Sequence, residues 1–372
     1  MDRADPDLLP EGLSDRLPPR AAAAARVRRA MEDAIAAHGY RRVQPPLVEF
    51  ERSLTSRVAG IDHHRLVRFT DPASLRTLAL RSDMTVQVGR IATTGLADEA
   101  RPLRLSYSGQ VVALRGATLQ PERERLQIGA EIVGTDTVEA ASESVMVAID
   151  AVRAGGATDI SVDFTLPDLV DTLSAGAFPL DDDAIDPVRR ELDAKDAGGL
   201  VAAGGEAYLP LLYAGGPFDN AIARLSEIDA GGVLSTRIEG LQQIASRIGH
   251  VARLTLDPSE RHGFEYQSWF GFTIYADGLR GALGRGGTYR IACNGNREGE
   301  AATGFSLYPD PLIAASVEVR RDKLFLPVDH DRGEAQRLRA IGWVTVAALS
   351  DEDEAEALGC SHRLGADGPQ PV

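Results

Sequence analysis

The sequence has few of the residues that build metal sites and disulfides. Its 2 cysteines, Cys293 and Cys360, are too few for a disulfide framework or a cysteine-based zinc site. Its 7 histidines include the pair His63-His64 but no His-x-x-x-His spacing. We therefore expect a reduced, cytoplasmic protein that uses neither a metal nor a cofactor.

Long hydrophobic runs and an excess of positive charge are also missing. No apolar run approaches the ~18 residues that a membrane helix requires, so no membrane partner is expected. The start, MDRADPDLLPEG, is acidic and lacks the apolar core of a secretory signal. The formal net charge is −15, and the basic clusters are short. A nucleic-acid partner is therefore unlikely, because such proteins usually carry a basic stripe.

The spacing of apolar residues predicts an α+β fold. Helix signals at 18–38, 85–95 and 136–154 flank strand hairpins at 66–80 and 103–134. Hairpins separated by helices are typical of an antiparallel sheet flanked by helices, and they argue against a doubly wound nucleotide-binding fold. GRGGTYR at 284–290 lacks the spacing of a phosphate-binding loop, so its glycines are expected in a turn or bulge.

The character of the sequence changes twice along the chain. Residues 166–247 are polar and helical, without a strand-like run, and predict a helical insertion. Residues 321–372 predict a small C-terminal α/β extension that ends in an acidic helix. The expected domains are therefore 1–320, which includes the insertion, and 321–372.

The stretch PERERLQIGAEIVG, residues 121–134, predicts a strand with two unlike faces. One face is apolar. The opposite face carries Arg123, Arg125, Gln127, Gly129 and Glu131. These residues leave two interpretations open: a face turned to solvent, or the floor of a pocket where Gly129 lets a ligand come close.

Several segments, in the same order, resemble the motifs of histidyl-tRNA synthetases. LLPEGLSD and GYRRVQPPLVEF resemble the opening and first motif, and FTDPASLRTLALRSDMT resembles the hairpin that follows. YSGQVVAL with RERLQIGAE resembles the second motif, HGFEYQSWFGFTIY the histidine-specific segment, and ATGFSLYPDPL the third motif. The resemblance covers about residues 8–318 and implies the class II synthetase fold, an antiparallel sheet flanked by helices.

The catalytic arginines of that family are missing. The second-motif arginine falls on Ala113 and its glutamate on Arg115, the third-motif arginine on Pro311, and the histidine-segment arginine on His262. Each lost donor costs about 10²–10³ in rate, so amino-acid activation is not expected. Arg115, on the same strand face as position 113, is the one side chain that could replace an arginine.

A synthetase-like chain without these arginines, and with a tail too short for an anticodon-binding domain, is similar to another family. This is the regulatory-subunit family of hetero-oligomeric ATP phosphoribosyltransferase, the first enzyme of histidine biosynthesis. The resemblance implies a non-catalytic chain that binds a short catalytic subunit and responds to histidine as effector. It also implies a homodimer through the motif that contains Pro46.

The resemblance to synthetases implies a histidine-like pocket. The matching positions are Asp83, Thr85, Gln127, Glu131 and Tyr266. A carboxylate pair suits histidine, because one can hold the α-ammonium and the other the imidazole N–H. The family's second tyrosine falls on Gln267, which is a departure.

Simpler interpretations of these residues remain open. Asp83 could pair with Arg81, Thr85 could cap a helix, and Tyr266 could be a sheet aromatic. Two other functions also remain: a divergent synthetase-like enzyme, and an accessory protein that binds tRNA or another partner.

Overall fold

The structure, a computed structural model, describes residues 8–55, 66–116, 121–229, 231–261, 267–293, 296–316 and 321–372, without the side chains of 293 and 296–298. The chain divides into two compact units, Met1–Ser316 and Val317–Val372. Predicted residues Tyr266 and His262 lie outside the described residues.

The described residues contain both helices and strands, in single elements and in short runs of one kind. The helices are α1 (Arg20–Ala37), α2 (Glu51–Thr55), α3 (Thr85–Thr93), α4 (Val138–Ala154), α5 (Leu169–Ser174), α6 (Asp182–Asp193), α7 (Ala197–Ala202), α8 (Phe218–Ile228), α9 (Ser235–Ile248), α10 (Asp310–Ala315) and α11 (Arg332–Ala340). The strands are β1 (Arg41–Arg42), β2 (Val48–Phe50), β3 (Arg68–Thr70), β4 (Thr77–Leu80), β5 (Leu103–Val112), β6 (Glu124–Val133), β7 (Ile160–Thr165), β8 (Gly216–Pro217), β9 (Arg253–Leu256), β10 (Gln267–Ala276), β11 (Gly284–Cys293), β12 (Asn296–Leu307), β13 (Lys323–Leu326), β14 (Val344–Ala347), β15 (His362–Gly365) and β16 (Gly368–Pro371).

Within the described residues, the first unit is built on a sheet with the order β1-β5-β6-β12-β11-β10-β7-β9-β8. Its central pairs are antiparallel, as the sequence predicts, including the β5–β6 hairpin. The sheet is mixed, however, because β1 runs parallel to β5 and β7 parallel to β9. A small sheet, β2-β4-β3, contains the hairpin expected at 66–80.

The two faces of the large sheet are covered differently. The apolar face of β6 (Leu126, Ile128, Ala130 and Ile132) belongs to the main core, which includes buried residues of α1, α4 and α9. On the opposite face, α3 packs through Val86 and Val88 in a smaller core with Leu105 of β5 and Ile291 of β11. The candidate site lies on this second face.

The segment 166–247 is mainly helical, with α5 to α9 and a 3₁₀ segment at Glu206–Tyr213. The expectation that it holds no strand is wrong, since β8 pairs with β9. A two-residue Gly-Pro strand is too short to show an alternation of apolar residues, so the local sequence does not predict it. The strand is defined by its pairing with residues about forty positions later in the sequence.

The second unit is a small α/β fold in which α11 accompanies the sheet β14-β13-β15-β16. The expected final acidic helix is wrong: residues 351–359 form turns, followed by the β15–β16 hairpin. The Asp353 carboxylate accepts hydrogen bonds from the backbone N–H groups of Leu349 and Ser350, which fixes a turn. Ala355 and Cys360 then pack against Phe325.

Candidate functional site

One face of five neighbouring strands is polar and rich in glycine. Register places Tyr107 opposite Gly129, and Glu131 opposite Gly304. Gly304 in turn lies opposite Gly287 of β11. Because side chains on paired positions point to the same face, residues from β5, β6, β12 and β11 meet there. The polar face of β6 is thus buried from Gln127 onward, and the solvent-facing interpretation is wrong for that part.

Glu131 is the central charge of this face. It is 1% exposed and accepts hydrogen bonds from two tyrosine hydroxyls, Tyr107 Oη to Oε1 and Tyr289 Oη to Oε2, both 2.9 Å. Burial raises the pKa of Glu131 to about 8, and nearby Asp83 adds to the effect. The two tyrosines lower the pKa but do not offset burial. An empty site therefore holds a largely neutral carboxyl group at neutral pH.

A directed chain of hydrogen bonds leads to Glu131. Gln127 Nε2 donates to Ser306 Oγ over 2.8 Å, and Ser306 Oγ lies 3.1 Å from Tyr107 Oη, which bonds Glu131. Thr85 Oγ1 lies 3.1 Å from the same tyrosine oxygen. Such a network, when every member has a partner, holds its end group in one position.

Gln127 has a positioning role in this arrangement. Its Oε1 accepts the Met84 N–H at 2.9 Å, and its Nε2 donates both to Asp83 Oδ2 at 2.9 Å and to Ser306 Oγ. Both amide hydrogens are therefore used within the protein. Asp83 also accepts the Thr85 N–H at 2.6 Å, and burial raises its pKa.

A small cavity opens beside Glu131. It measures about 20 Å³ and is lined by residues of α3, β6, β10, β11 and β12. These residues are Thr85, Glu131, Gln267, Arg285, Gly286, Gly287, Tyr289, Gly304, Phe305 and Ser306. Its size suffices for about one water molecule. Gly304 is essential to its shape, because a Cβ there would overlap the Glu131 carboxylate.

The structure brings four of the five predicted pocket residues together. Thr85 and Glu131 line the cavity, whereas Asp83 and Gln127 lie behind its wall and join it through hydrogen bonds. The sequence suggested that Gly129 makes room for a ligand, and the structure gives this glycine a different role. A Cβ at Gly129 would collide with the ring of Tyr107 and with the Phe305 carbonyl, so this glycine seats the tyrosine.

Two of the simpler interpretations disagree with the geometry. Arg81 donates to the backbone carbonyls of Pro45, at 2.9 Å, and Gln110, at 2.8 Å, while Asp83 bonds Thr85 and Gln127. Thr85 lies inside α3, whose N-cap residue is Met84, and its hydroxyl points to Tyr107. It is therefore not the helix cap.

Sequence reasoning missed the cavity residues of β11 and β12. The segment GRGGTYR is part of the continuous strand β11, so the expectation of a turn or bulge is wrong. Its glycines serve close approach instead: a Cβ at Gly286 would overlap the Phe272 ring. Alternation within this segment puts Arg285, Gly287 and Tyr289 on one face of a strand, and this pattern could have predicted a polar, glycine-containing face at the site.

Two of the lost arginine positions, 113 and 311, lie outside the strands of the sheet. Ala113 follows the end of β5, and Pro311 lies in the first turn of α10. Arg115 is exposed beyond the strand, which removes the basis for its proposed replacement role. Beside Pro311, Asp310 forms an ion pair with Arg16 at 2.6 Å.

Two features are absent from the residues that the structure describes. No three His, Cys, Asp or Glu side chains are arranged so that they could hold a metal ion. In the same residues, none of the helices has the length and apolar character needed to cross a membrane.

The fold is that of histidyl-tRNA synthetases. The sequence model of the histidyl-tRNA synthetase family matches residues 12–312. The structure of an ATP phosphoribosyltransferase regulatory subunit/histidyl-tRNA synthetase from Bacillus halodurans aligns with a TM-score of 0.82 at 23% identity, over 96% of this chain and 97% of that one. Histidyl-tRNA synthetase from Nostoc aligns with a TM-score of 0.78 at 14% identity, over 98% and 93%. The predicted class II synthetase fold is thus confirmed.

Relatives found by sequence identify a narrower family within the histidyl-tRNA synthetase fold. The chain is 40% identical to the ATP phosphoribosyltransferase regulatory subunit of Paramagnetospirillum magneticum, over 97% of both chains. It is 41% identical to that of Rhodospirillum centenum, over 95% of this chain and 94% of the relative. The chain belongs to the family of ATP phosphoribosyltransferase regulatory subunits, and the resemblance noted in the sequence is confirmed.

Proposed function

We propose that this chain binds free histidine at the Glu131 cavity and thereby controls a short catalytic subunit of ATP phosphoribosyltransferase. The observation that carries the proposal is the Glu131 carboxyl group, buried and oriented by two tyrosine hydroxyls at the wall of a cavity. A buried carboxyl group fixed in this way can accept hydrogen bonds from an ammonium or imidazolium group.

Opposite charges around the cavity suit an α-amino acid. Glu131 is the carboxyl group of the lining and Arg285 its guanidinium group. The ammonium of histidine pairs with Glu131 and its carboxylate with Arg285, while Thr85 and Ser306 offer hydroxyls to the ring. Tyr266, the fifth residue of the pocket that the resemblance implies, lies outside the described residues.

Regulation follows from unequal binding to two states of the complex. Free histidine stabilises the less active state, and the catalytic subunit senses this through its contact with this chain. The chain itself performs no amino-acid activation, because the three arginine positions are occupied by Ala113, His262 and Pro311.

The test is phosphoribosyl-ATP formation by the short catalytic subunit, alone and with this chain, across a histidine titration. We expect this chain to stimulate the activity and histidine to suppress it. Glu131→Ala removes the suppression and leaves the stimulation. The matched control is Glu139→Ala on the exposed start of α4, which should behave as the unmodified chain does.

Two results would contradict the proposal. ATP–pyrophosphate exchange with histidine would identify an active synthetase-like enzyme. Failure of this chain to bind or change the catalytic subunit would remove the regulatory role, and salt-sensitive tRNA binding would then favour an accessory protein.

We also propose a homodimer through the Pro46 segment. Gln87 Nε2 donates to the Pro46 carbonyl at 2.8 Å, and Arg81 holds the Pro45 carbonyl, so the backbone is fixed. Pro46 and Leu47 remain exposed, Leu47 by 44%. Light scattering should find a dimer that Leu47→Asp dissociates and that Leu349→Asp, at a leucine 94% exposed in the second unit, does not. A dimer in both variants would place the interface elsewhere.

A further inference from the structure

The side chain of Gln267 lines the same small cavity as Glu131. Gln267 begins β10, and its Nε2 donates to the Gly286 carbonyl on β11 at 2.8 Å. It lies over two glycines of the same face. A Cβ at Gly271 would overlap its Oε1, and a Cβ at Gly287 would lie 2.9 Å from its Nε2. The side chain therefore packs against two residues that have no side chain, and a side chain at either position would collide with it or crowd it.

The remaining volume is too small for an amino acid. About 20 Å³ is left beside Gln267, enough for about one water molecule. Histidine has an imidazole ring, an ammonium and a carboxylate, and is several times larger. Of the other side chains in the lining, Glu131 is held by the hydroxyls of Tyr107 and Tyr289, and Thr85 and Ser306 each lie within hydrogen-bonding distance of Tyr107 Oη. The long side chain of Arg285 completes the polar part of the lining.

Gln267 is free to move without breaking the sheet. Its register with Tyr289 shifts before the next pair, Gly271 with Gly287, so an irregularity separates Gln267 from the regular part of β10. Among the described residues, rotating the side chain breaks the hydrogen bond to the Gly286 carbonyl, whose net contribution is small.

We propose that Gln267 is the residue that sets the affinity and size limit of the amino-acid cavity: it occupies the ligand's place when the cavity is empty and must rotate out for histidine to enter. This inference rests on the proposed binding of histidine. The ligand class is an α-amino acid with a hydrogen-bonding ring. The intrinsic affinity of the cavity is reduced by the fraction of molecules in which Gln267 lies inside.

The test is calorimetric titration of histidine into the full-length chain and three variants. Gln267→Ala removes the obstruction and should bind histidine about twofold to tenfold more tightly, the equivalent of one net hydrogen bond. Gln267→Met keeps the size but cannot donate to Gly286, so its gain should be smaller. Gln242→Ala, at an exposed glutamine of α9, should bind as the unmodified chain does.

The outcomes separate this inference from the proposed function. Histidine binding to the unmodified chain with equal or weaker binding to Gln267→Ala overturns the role of Gln267 and leaves the proposed function intact. No binding to any of the four proteins overturns both. Binding to Gln267→Ala but not to the unmodified chain supports the obstruction by Gln267 and overturns histidine binding by the unmodified chain.

A second measurement does not depend on the alanine variant folding. The side-chain amide resonance of Gln267, assigned by its loss in Gln267→Met, should shift and lose protection from exchange when histidine is added to the unmodified chain. An unchanged resonance at saturating histidine overturns the inference.

Discussion

The neutral state of Glu131 predicts an unusual dependence of stability on pH. A carboxyl group whose pKa is 4.5 when exposed and about 8 in the folded chain binds a proton more tightly when folded. Between these two values the folded state carries more protons than the unfolded state, so the free energy of unfolding falls as pH rises. From pH 5 to pH 8 this single group lowers it by about 3.5 kcal/mol.

Glu131→Gln removes the titration but keeps the shape of the side chain. At pH 5 the unmodified chain and the variant should be similar in stability, because a neutral amide replaces a neutral acid between the same tyrosine hydroxyls. At pH 8 the variant should be the more stable of the two. The measurement is urea unfolding of both chains at intervals from pH 5 to pH 8.

The difference between the two chains reports Glu131 together with Asp83, whose charge acts on Glu131, and removes the contribution of more distant groups. Burial and the carboxylates of Asp163 and Asp257 raise the pKa of Glu260 to about 7, so Glu260 titrates in the same range. Glu260 titrates in both chains, so its contribution cancels in the difference between their free energies of unfolding. Parallel stability profiles from pH 5 to pH 8 would refute the reasoning, since they would mean that Glu131 is ionised in the empty cavity.

Three further predictions concern single contacts. Gly304→Ala puts a Cβ on the Glu131 carboxylate, so it should destabilise the chain by about 1–3 kcal/mol and abolish histidine binding in calorimetry. The control is Gly95→Ala, whose added Cβ would lie 3.8 Å from its nearest neighbour and should have neither effect. Arg16→Ala breaks the partly exposed ion pair with Asp310 and should cost at most about 1 kcal/mol at pH 7, measured by urea unfolding. The cost should fall as the solution becomes more acidic, because burial raises the pKa of Asp310, and a larger loss would contradict a surface pair. Leu338→Ala in α11 leaves a cavity in the small core of the second unit and should cost about 2–5 kcal/mol in its stability. The measurement is hydrogen exchange of the β13 amides, which should become faster. Unchanged protection of these amides would show that this core does not unfold cooperatively.

Much of the fold could be predicted because its signals are local. The alternation in 121–134 places Glu131 and Gln127 on one face of β6, and the hairpin spacing predicts the β5–β6 pair that the register confirms. The order of motifs then identifies the synthetase fold without any knowledge of distances.

The rest of the site depends on contacts between distant parts of the sequence. Gly304 lies opposite Glu131 through pairing of β12 with β6, and nothing near position 304 predicts that register. Gln127 looks like a ligand contact from its face alone, and only its three partners reveal that its amide is already used. The acidic stretch after Leu349 has helical composition, but the local bonds of Asp353 favour a turn.

The positions of the residues show how a synthetase fold can lose its catalytic arginines and still keep the network around Glu131. The network around Glu131 is built from side chains in the middle of β5, β6, β11 and β12, where each hydroxyl and amide fixes the next. The lost arginines belong to positions 113 and 311, at the end of β5 and the start of α10, where no member of this network is bonded. Their replacement leaves no buried partner unsatisfied near Glu131, so it carries little cost in stability. Replacing Gly304 or Tyr107 would instead disturb the whole network, since both lie against the Glu131 carboxylate. The two parts of the sheet face are therefore separable by mutation, and the part that contains the proposed histidine cavity is the one tied to the core.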